Sequence, residues 1–168
     1  MCLAPTQTHQ PIAIPSRQQV RQDATELLDS FMAIEADTNC PGLMQAGFDM
    51  PAIRARVKQL SNTVRAYCRE AFIRYQHPTS AAEALHAATV AHAYFVATYQ
   101  TPERAVAIAQ LRLTEDALHL LIGQRVRYPS RSMEGGQTIG TVLDTYDAGD
   151  IRVDTDGVIG WQECELVA

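Results

Sequence analysis

The residues with the clearest capacity for chemistry are two carboxylate-x-x-His units, Glu83-Ala84-Leu85-His86 and Asp116-Ala117-Leu118-His119. A carboxylate and an imidazole three residues apart share one side of a helix, and four-helix carboxylate proteins present metal ions in this way. A fold-back about residue 101 sets Glu83 level with His119 and His86 level with Asp116. Other duties compete for the same groups. Glu83 stands three residues after Ser80, at capping-box spacing. His119 shares its helix side with Arg112, Glu115 and Asp116, a solvated pattern, and the helix dipole alone favours a histidine in a last turn. Dimetal bundles also need a lone glutamate from each of two further helices, and no obvious pair supplies them. The expectation is no cofactor, with the four residues as surface groups or cross-helix carboxylate–imidazole pairs.

A second set is the basic row Arg54, Lys58, Arg65 and Arg69, near one face of a helix with Tyr67 and Tyr75 close in sequence. Such a row can contact phosphates. The preceding helix, however, holds Asp23, Glu26, Asp29, Glu35 and Asp37, which can neutralise it, and the net charge of −5 opposes nonspecific nucleic-acid affinity. A third set lies near the C-terminus: Tyr128, Tyr146 and Trp161, expected partly exposed, with Arg125, Arg127 and Arg131 near the first loop. Aromatics there can line a peptide groove or stack a base, or simply fill a core. The residues assigned to partner binding are Tyr128, Arg131, Tyr146 and Trp161. His92, on a helix side with Leu85, Ala88, Phe95 and Tyr99, reads as a hydrogen-bonded core histidine. The four cysteines (Cys2, Cys40, Cys68, Cys164) are scattered and read as reduced and structural. No Ser/His/Asp triad, phosphate-gripping glycine loop or activated cysteine is legible, so no catalytic residue is assigned and the chain is read as non-enzymatic.

These groups need elements to position them, and the central stretch from Pro78 to Leu121 supplies two. It is alanine-rich, with a Ser80 cap and a Gln100-Thr101-Pro102 corner; Thr101 reads as the N-cap of the second helix and Pro102 as its first residue. Whether it is a hairpin or one kinked helix stays open at this point. Before it, Ser16 caps a helix with the stripe Val20, Ala24, Leu27, Phe31 and Ile34, widened by Leu28 and Met32 and ending near Asp37 or Thr38. Asp49 caps a longer helix running to about Tyr75, with the stripe Ile53, Val57, Leu60, Val64, Tyr67 and Ala71, broadened by Cys68, Phe72 and Ile73. Past Ile122-Gly123 the period falls to two. Strands are expected over 124–128, 138–146, 151–154 and 159–165, separated by turn chemistry that includes Asp156-Gly157.

The run IGQRVRYPS…GGQTIGTVLDTYDAGDIRVDTDGVIGWQECELV resembles small SH3-like barrels, in its Gly-x-x-Val-Arg opening, its Gly-Thr-Val second strand and its tight turn before an aromatic strand. In that pattern Glu165-Leu166 stands where a short closing turn falls. The resemblance implies a small antiparallel barrel and narrows function little. The chain is therefore expected to be α+β: a flexible tail over 1–15, a four-helix bundle over 16–122 and an SH3-like barrel over 123–168. The role expected is a non-catalytic adaptor, with the bundle serving assembly or self-association and the barrel docking another protein. Its alternatives are a nucleic-acid-binding regulator using the basic helix and a metal-dependent enzyme using the paired motifs. With no apolar run near the ~20 residues of a membrane span and no secretion-type start, a cytoplasmic location is expected.

Overall fold

The computed structural model describes residues 10–41 and 47–168. The first nine residues of the expected tail, Cys2 among them, and residues 42–46 of the connector lie outside the described residues. Four helices come first: α1 (Arg17–Asn39), α2 (Met50–Arg74), α3 (Ala81–Ala97) and α4 (Arg104–Asp116). Three caps follow the local chemistry. Ser16 accepts a bond from the Gln19 amide, Asp49 from Ala52 and Ser80 from Glu83. The Glu83 carboxylate returns to the Thr79 amide, at 3.0 Å, one residue further out than a standard capping box. The fourth start differs from expectation. Thr101 gives its hydroxyl to the Thr98 carbonyl and caps nothing, and α4 begins at Arg104, because Glu103 is drawn onto α2.

The stretch from Pro78 is a hairpin, with α4 folded back along α3. Of the 17 residues of α3, eleven are buried, so this helix is apolar all round and sits at the centre. Its alanines from Ala84 to Ala97 are buried inside the chain. One side of α3 (Val90, Ala93, Tyr94, Ala97) completes a core with Val20, Leu27, Leu60, Val64 and Tyr67 from α1 and α2. The apolar stripes of both helices thus point inward; of the residues expected to widen them, Cys68 is buried and Phe72 packs against the core, while Leu28, Met32 and Ile73 are exposed. Ile14, in the expected tail, also packs against this core.

After α4 a 3₁₀ turn (Ala117–Leu121) leads into β1 (Arg125–Pro129), β2 (Gln137–Thr145), β3 (Asp150–Val153), β4 (Gly157–Gly160) and β5 (Glu165–Leu166). The sheet is antiparallel throughout, in the order β4-β3-β2-β1-β5. The molecule is α+β. The last expected strand is two pieces: β4 ends at Gly160, a 3₁₀ turn carries Trp161–Glu163, and Glu165-Leu166 is a strand paired with β1 instead of a turn. A register shift between Val142 and Asp144 lets β2 serve both halves of the sheet. Gly140 is required in β2 by a close approach: a Cβ there would lie 2.7 Å from the Thr155 hydroxyl and 3.0 Å from an Asp154 oxygen.

The sheet does not stand apart from the helices. Its inner side chains, Val126, Tyr128, Val142, Ile151, Val153, Ile159 and Trp161, form a second core together with Leu85 and Ala88 of α3 and Leu118 and Leu121 of the 3₁₀ turn. Bundle and sheet therefore share α3 as a common wall.

Candidate functional site

The two carboxylate-x-x-His units are not brought together. Glu83 is occupied with Thr79, His86 lies between the Tyr75 hydroxyl and the Pro15 carbonyl at 3.0 Å each, and His119 donates from Nδ1 to the Asp116 carbonyl at 2.9 Å. Among the described residues no group of three or more His, Cys, Asp or Glu side chains could hold a metal ion. The fold-back alignment fails because α4 ends at Asp116 and the tighter 3₁₀ turn carries His119 off its line.

The basic row is largely neutralised within the chain. Arg54 pairs with Asp37 of α1 at 3.2 Å, and Arg56 with Glu26 at 2.7 Å. Arg65 and Arg69 go instead to Glu103, at the start of α4, which also accepts the Tyr94 hydroxyl at 2.5 Å. Hydrogen bonding from Arg65 first, then from Tyr94, holds the Glu103 carboxyl down at about 2. Of the four residues assigned to phosphate contact, Lys58 alone has no such partner among the described residues.

The partner-binding set divides. Tyr128 and Trp161 are 1% exposed and belong to the second core, which corrects their expected exposure; the sheet packs them onto α3 and the 3₁₀ turn. Tyr128 bonds the Thr155 hydroxyl. The Trp161 ring meets His92 edge-on, with centroids 6.3 Å apart, and its other edge passes so close to Gly149 that a Cβ there would lie 2.3 Å from the ring. His92 is half-buried, and that burial lowers its pKa; among the described residues no hydrogen bond holds it, contrary to expectation. Cys68 and Cys164 are buried free thiols, and burial pushes the Cys164 thiol up to about 12.

What remains open on the sheet is a different group. Ile139, Leu143, Tyr146 and Val158 are each 39–46% exposed, and Arg125, Arg127 and Arg152 occupy outward positions on β1 and β3. None of these three arginines is in an ion pair among the described residues. Arg131 donates to the Val158 carbonyl at 2.5 Å, fixing the first loop against β4. Ile139 sits directly across from Arg127, and Val158 across from Arg152.

Two polar residues, Asp23 buried and Arg17 partly buried, take roles that their spacing does not announce. Asp23, counted there among surface acids, is 8% exposed and accepts the Tyr67 hydroxyl and the Gln19 amide, both at 2.9 Å. Arg17, in the first turn of α1, reaches across the junction of the two cores. It donates to the Thr89 hydroxyl at 2.8 Å, to the Cys164 carbonyl at 2.5 Å and to the Trp161 carbonyl at 3.4 Å. Burial lowers its pKa to about 10, still far above neutrality, so the guanidinium stays charged.

No family model, no curated protein and no solved structure matches this chain. No helix among the described residues is long and apolar enough to cross a membrane.

Proposed function

We propose that this is a non-catalytic binding or adaptor protein, in which the helices buttress the sheet and the solvent side of the sheet docks another protein. One observation carries the reading: Ile139, Leu143 and Val158 on the sheet and Tyr146 just after β2 are left exposed, and outward positions of the sheet also carry Arg125, Arg127 and Arg152, which are in no ion pair among the described residues. Large apolar side chains exposed among polar neighbours mark interaction surfaces more often than scattered single residues do. Arg131 and Tyr146 stay in the docking set; Tyr128 and Trp161 pass to its support. The complementary partner is a protein segment bearing apolar side chains and carboxylates, since charge complementarity sets register and on-rate. Immobilised full-length protein should recover one stoichiometric partner from the native source. An Ile139→Asp/Val158→Asp variant, checked for native circular dichroism, should lose it, while Lys58→Glu on α2 should keep it. Retention of the same partner by the folded double variant, or recovery of none by wild type, refutes the proposal.

A further inference from the structure

Away from the sheet, a cavity of about 430 Å³, open on one side, lies between the C-terminal end of α2, the middle of α3 and the C-terminal half of α4. Its size falls within the roughly 300–1,000 Å³ of ordinary small-molecule sites, and the clefts between helices of a bundle are common places for them. The sequence explains why the space exists. α3 presents Ala87 and Val90 at this level, where a longer side chain would fill the gap, and His77-Pro78 ends α2 before it can close over α4.

The walls are fixed in advance. The Phe72 ring packs edge-on against Tyr94, with centroids 5.1 Å apart. The Tyr75 ring is held at both ends: Arg74 lies 5.6 Å over its centre, and its hydroxyl bonds His86 Nδ1 at 3.0 Å. The Pro15 carbonyl can only accept, so it takes the His86 Nε2 proton, and Nδ1 is left to accept from Tyr75. A wall held this way does not have to be ordered when a ligand arrives.

The polar lining is sparse, and the Thr114 hydroxyl is already given to the Gln110 and Leu111 carbonyls. Gln76, His77 and Gln110 border the cavity, and their side chains make no hydrogen bond among the described residues. No carboxylate lines it, and behind the lining the Arg74 cation lies over the Tyr75 ring, 5.6 Å from its centre. We infer that this cavity is a binding site for a small flat molecule, a ring system bearing a carboxylate or amide-like carbonyl. The ring would lie between Phe72 and Tyr75, and the carbonyl end would meet Gln110 and His77. The site is independent of the docking face on the sheet, so either can fail without the other.

The test titrates the full-length, isotope-labelled protein with naphthoate and, separately, with naphthylmethylammonium, following backbone amide resonances. Naphthoate should saturate at one equivalent, with the largest shifts at Phe72, Ala87 and Val90, and the ammonium should bind at least tenfold more weakly. Ala87→Leu should abolish binding by filling the floor. If that variant does not fold, Leu113→Trp decides. Leu113 is a rim residue 63% exposed, where the larger ring caps the mouth without crowding the core. It should weaken naphthoate at least tenfold. Unsaturable titration, shifts centred elsewhere, equal affinity for the cation, or wild-type affinity in a folded Leu113→Trp protein would each overturn the inference.

Discussion

Replacing Arg17 with methionine tests what joins the two cores. Methionine keeps most of the aliphatic stem and removes the guanidinium, so the change isolates the polar contacts. Two of these are short, to the Thr89 hydroxyl at 2.8 Å and to the Cys164 carbonyl at 2.5 Å, and two are long, to the Trp161 and Gln162 carbonyls at 3.4 and 3.5 Å. Hydrogen bonds to a charged group contribute about 1.5–3 kcal/mol each, so the short pair contributes roughly 3–6 kcal/mol. Against this stands the desolvation of the cation, the same effect that lowers its pKa to about 10. Thr89 is not orphaned by the change, because its hydroxyl also donates to the Leu85 carbonyl at 2.7 Å, whereas the Cys164 carbonyl loses this donor. The net expectation is a loss of about 2–3 kcal/mol, which in a chain of this size lowers the melting temperature by about 4–12 °C. Trp161 is the single tryptophan and stands at the junction, so its fluorescence during urea unfolding, beside far-ultraviolet circular dichroism, is the assay. Arg21→Met serves as the control. Its pairing with Glu165 is long, at 3.7 Å, and solvent-exposed, so it should cost less than about 1 kcal/mol. Arg17→Lys should fall between the two, because a compact ammonium cannot span the same set of acceptors. The reasoning is refuted if Arg17→Met lies within about 0.5 kcal/mol of wild type, or matches Arg21→Met.

Gly149→Ala should destabilise by more than the roughly 1 kcal/mol of an ordinary surface change: the glycine has a φ of +82°, and its new methyl would lie 2.3 Å from the Trp161 ring. A blue or red shift of native-state tryptophan emission should accompany the loss, and unchanged stability with unchanged emission would contradict the geometry. Burial lowers the pKa of both His86 and His92, so the unfolded chain binds more protons than the folded one as pH falls through 6.5, and stability should drop over that window. A His86→Gln/His92→Gln protein should show a flatter urea midpoint between pH 7 and pH 5 (about the range over which an ordinary histidine titrates). A fragment of residues 123–168 should lack a cooperative thermal transition, because Leu85, Ala88, Leu118 and Leu121 of the second core lie outside it. A sharp transition with native-like tryptophan emission would show the sheet to be self-sufficient.

Much of the backbone was legible because it is written in local signals. Ser16, Asp49 and Ser80 act on amides three residues ahead, and each helix they announce begins at the residue after its cap. The strand periods and the Asp156-Gly157 turn are likewise local, and β3 and β4 meet across that turn. What escaped depends on distant partners. Arg17 bonds carbonyls 144 and 147 residues away, and a carbonyl has no residue type to search for. Asp23 looks like any acid on an amphipathic helix until Tyr67, 44 residues on, turns its hydroxyl inward. Thr101-Pro102 carries a sound start signal, overridden because Arg65, Arg69 and Tyr94 converge on Glu103. The aromatics of the sheet follow the same logic. An alternating strand says which residues share a side, and only the packing of α3 and the 3₁₀ turn decides that the side with Tyr128 is the covered one.

The shared wall bears directly on how such a molecule could bind. Had the sheet been a separate module on a linker, a partner would meet a surface free to reorient, and ordering it would cost affinity. Here Leu118 and Leu121 are fully buried under the sheet, each contributing about 1.5–3 kcal/mol to holding it in place. Arg17 pins the turn after β4 to α1, and Gly149 admits the Trp161 ring that fills the space between. The outward positions of the sheet are thus presented on a rigid support, even though their own side chains are uncommitted. The same central helix that closes both cores also supplies Ala87 and Val90 to the floor of the α2–α3–α4 cavity. Its alanines serve two ends: they let three helices and a sheet approach one axis, and at one level they leave room.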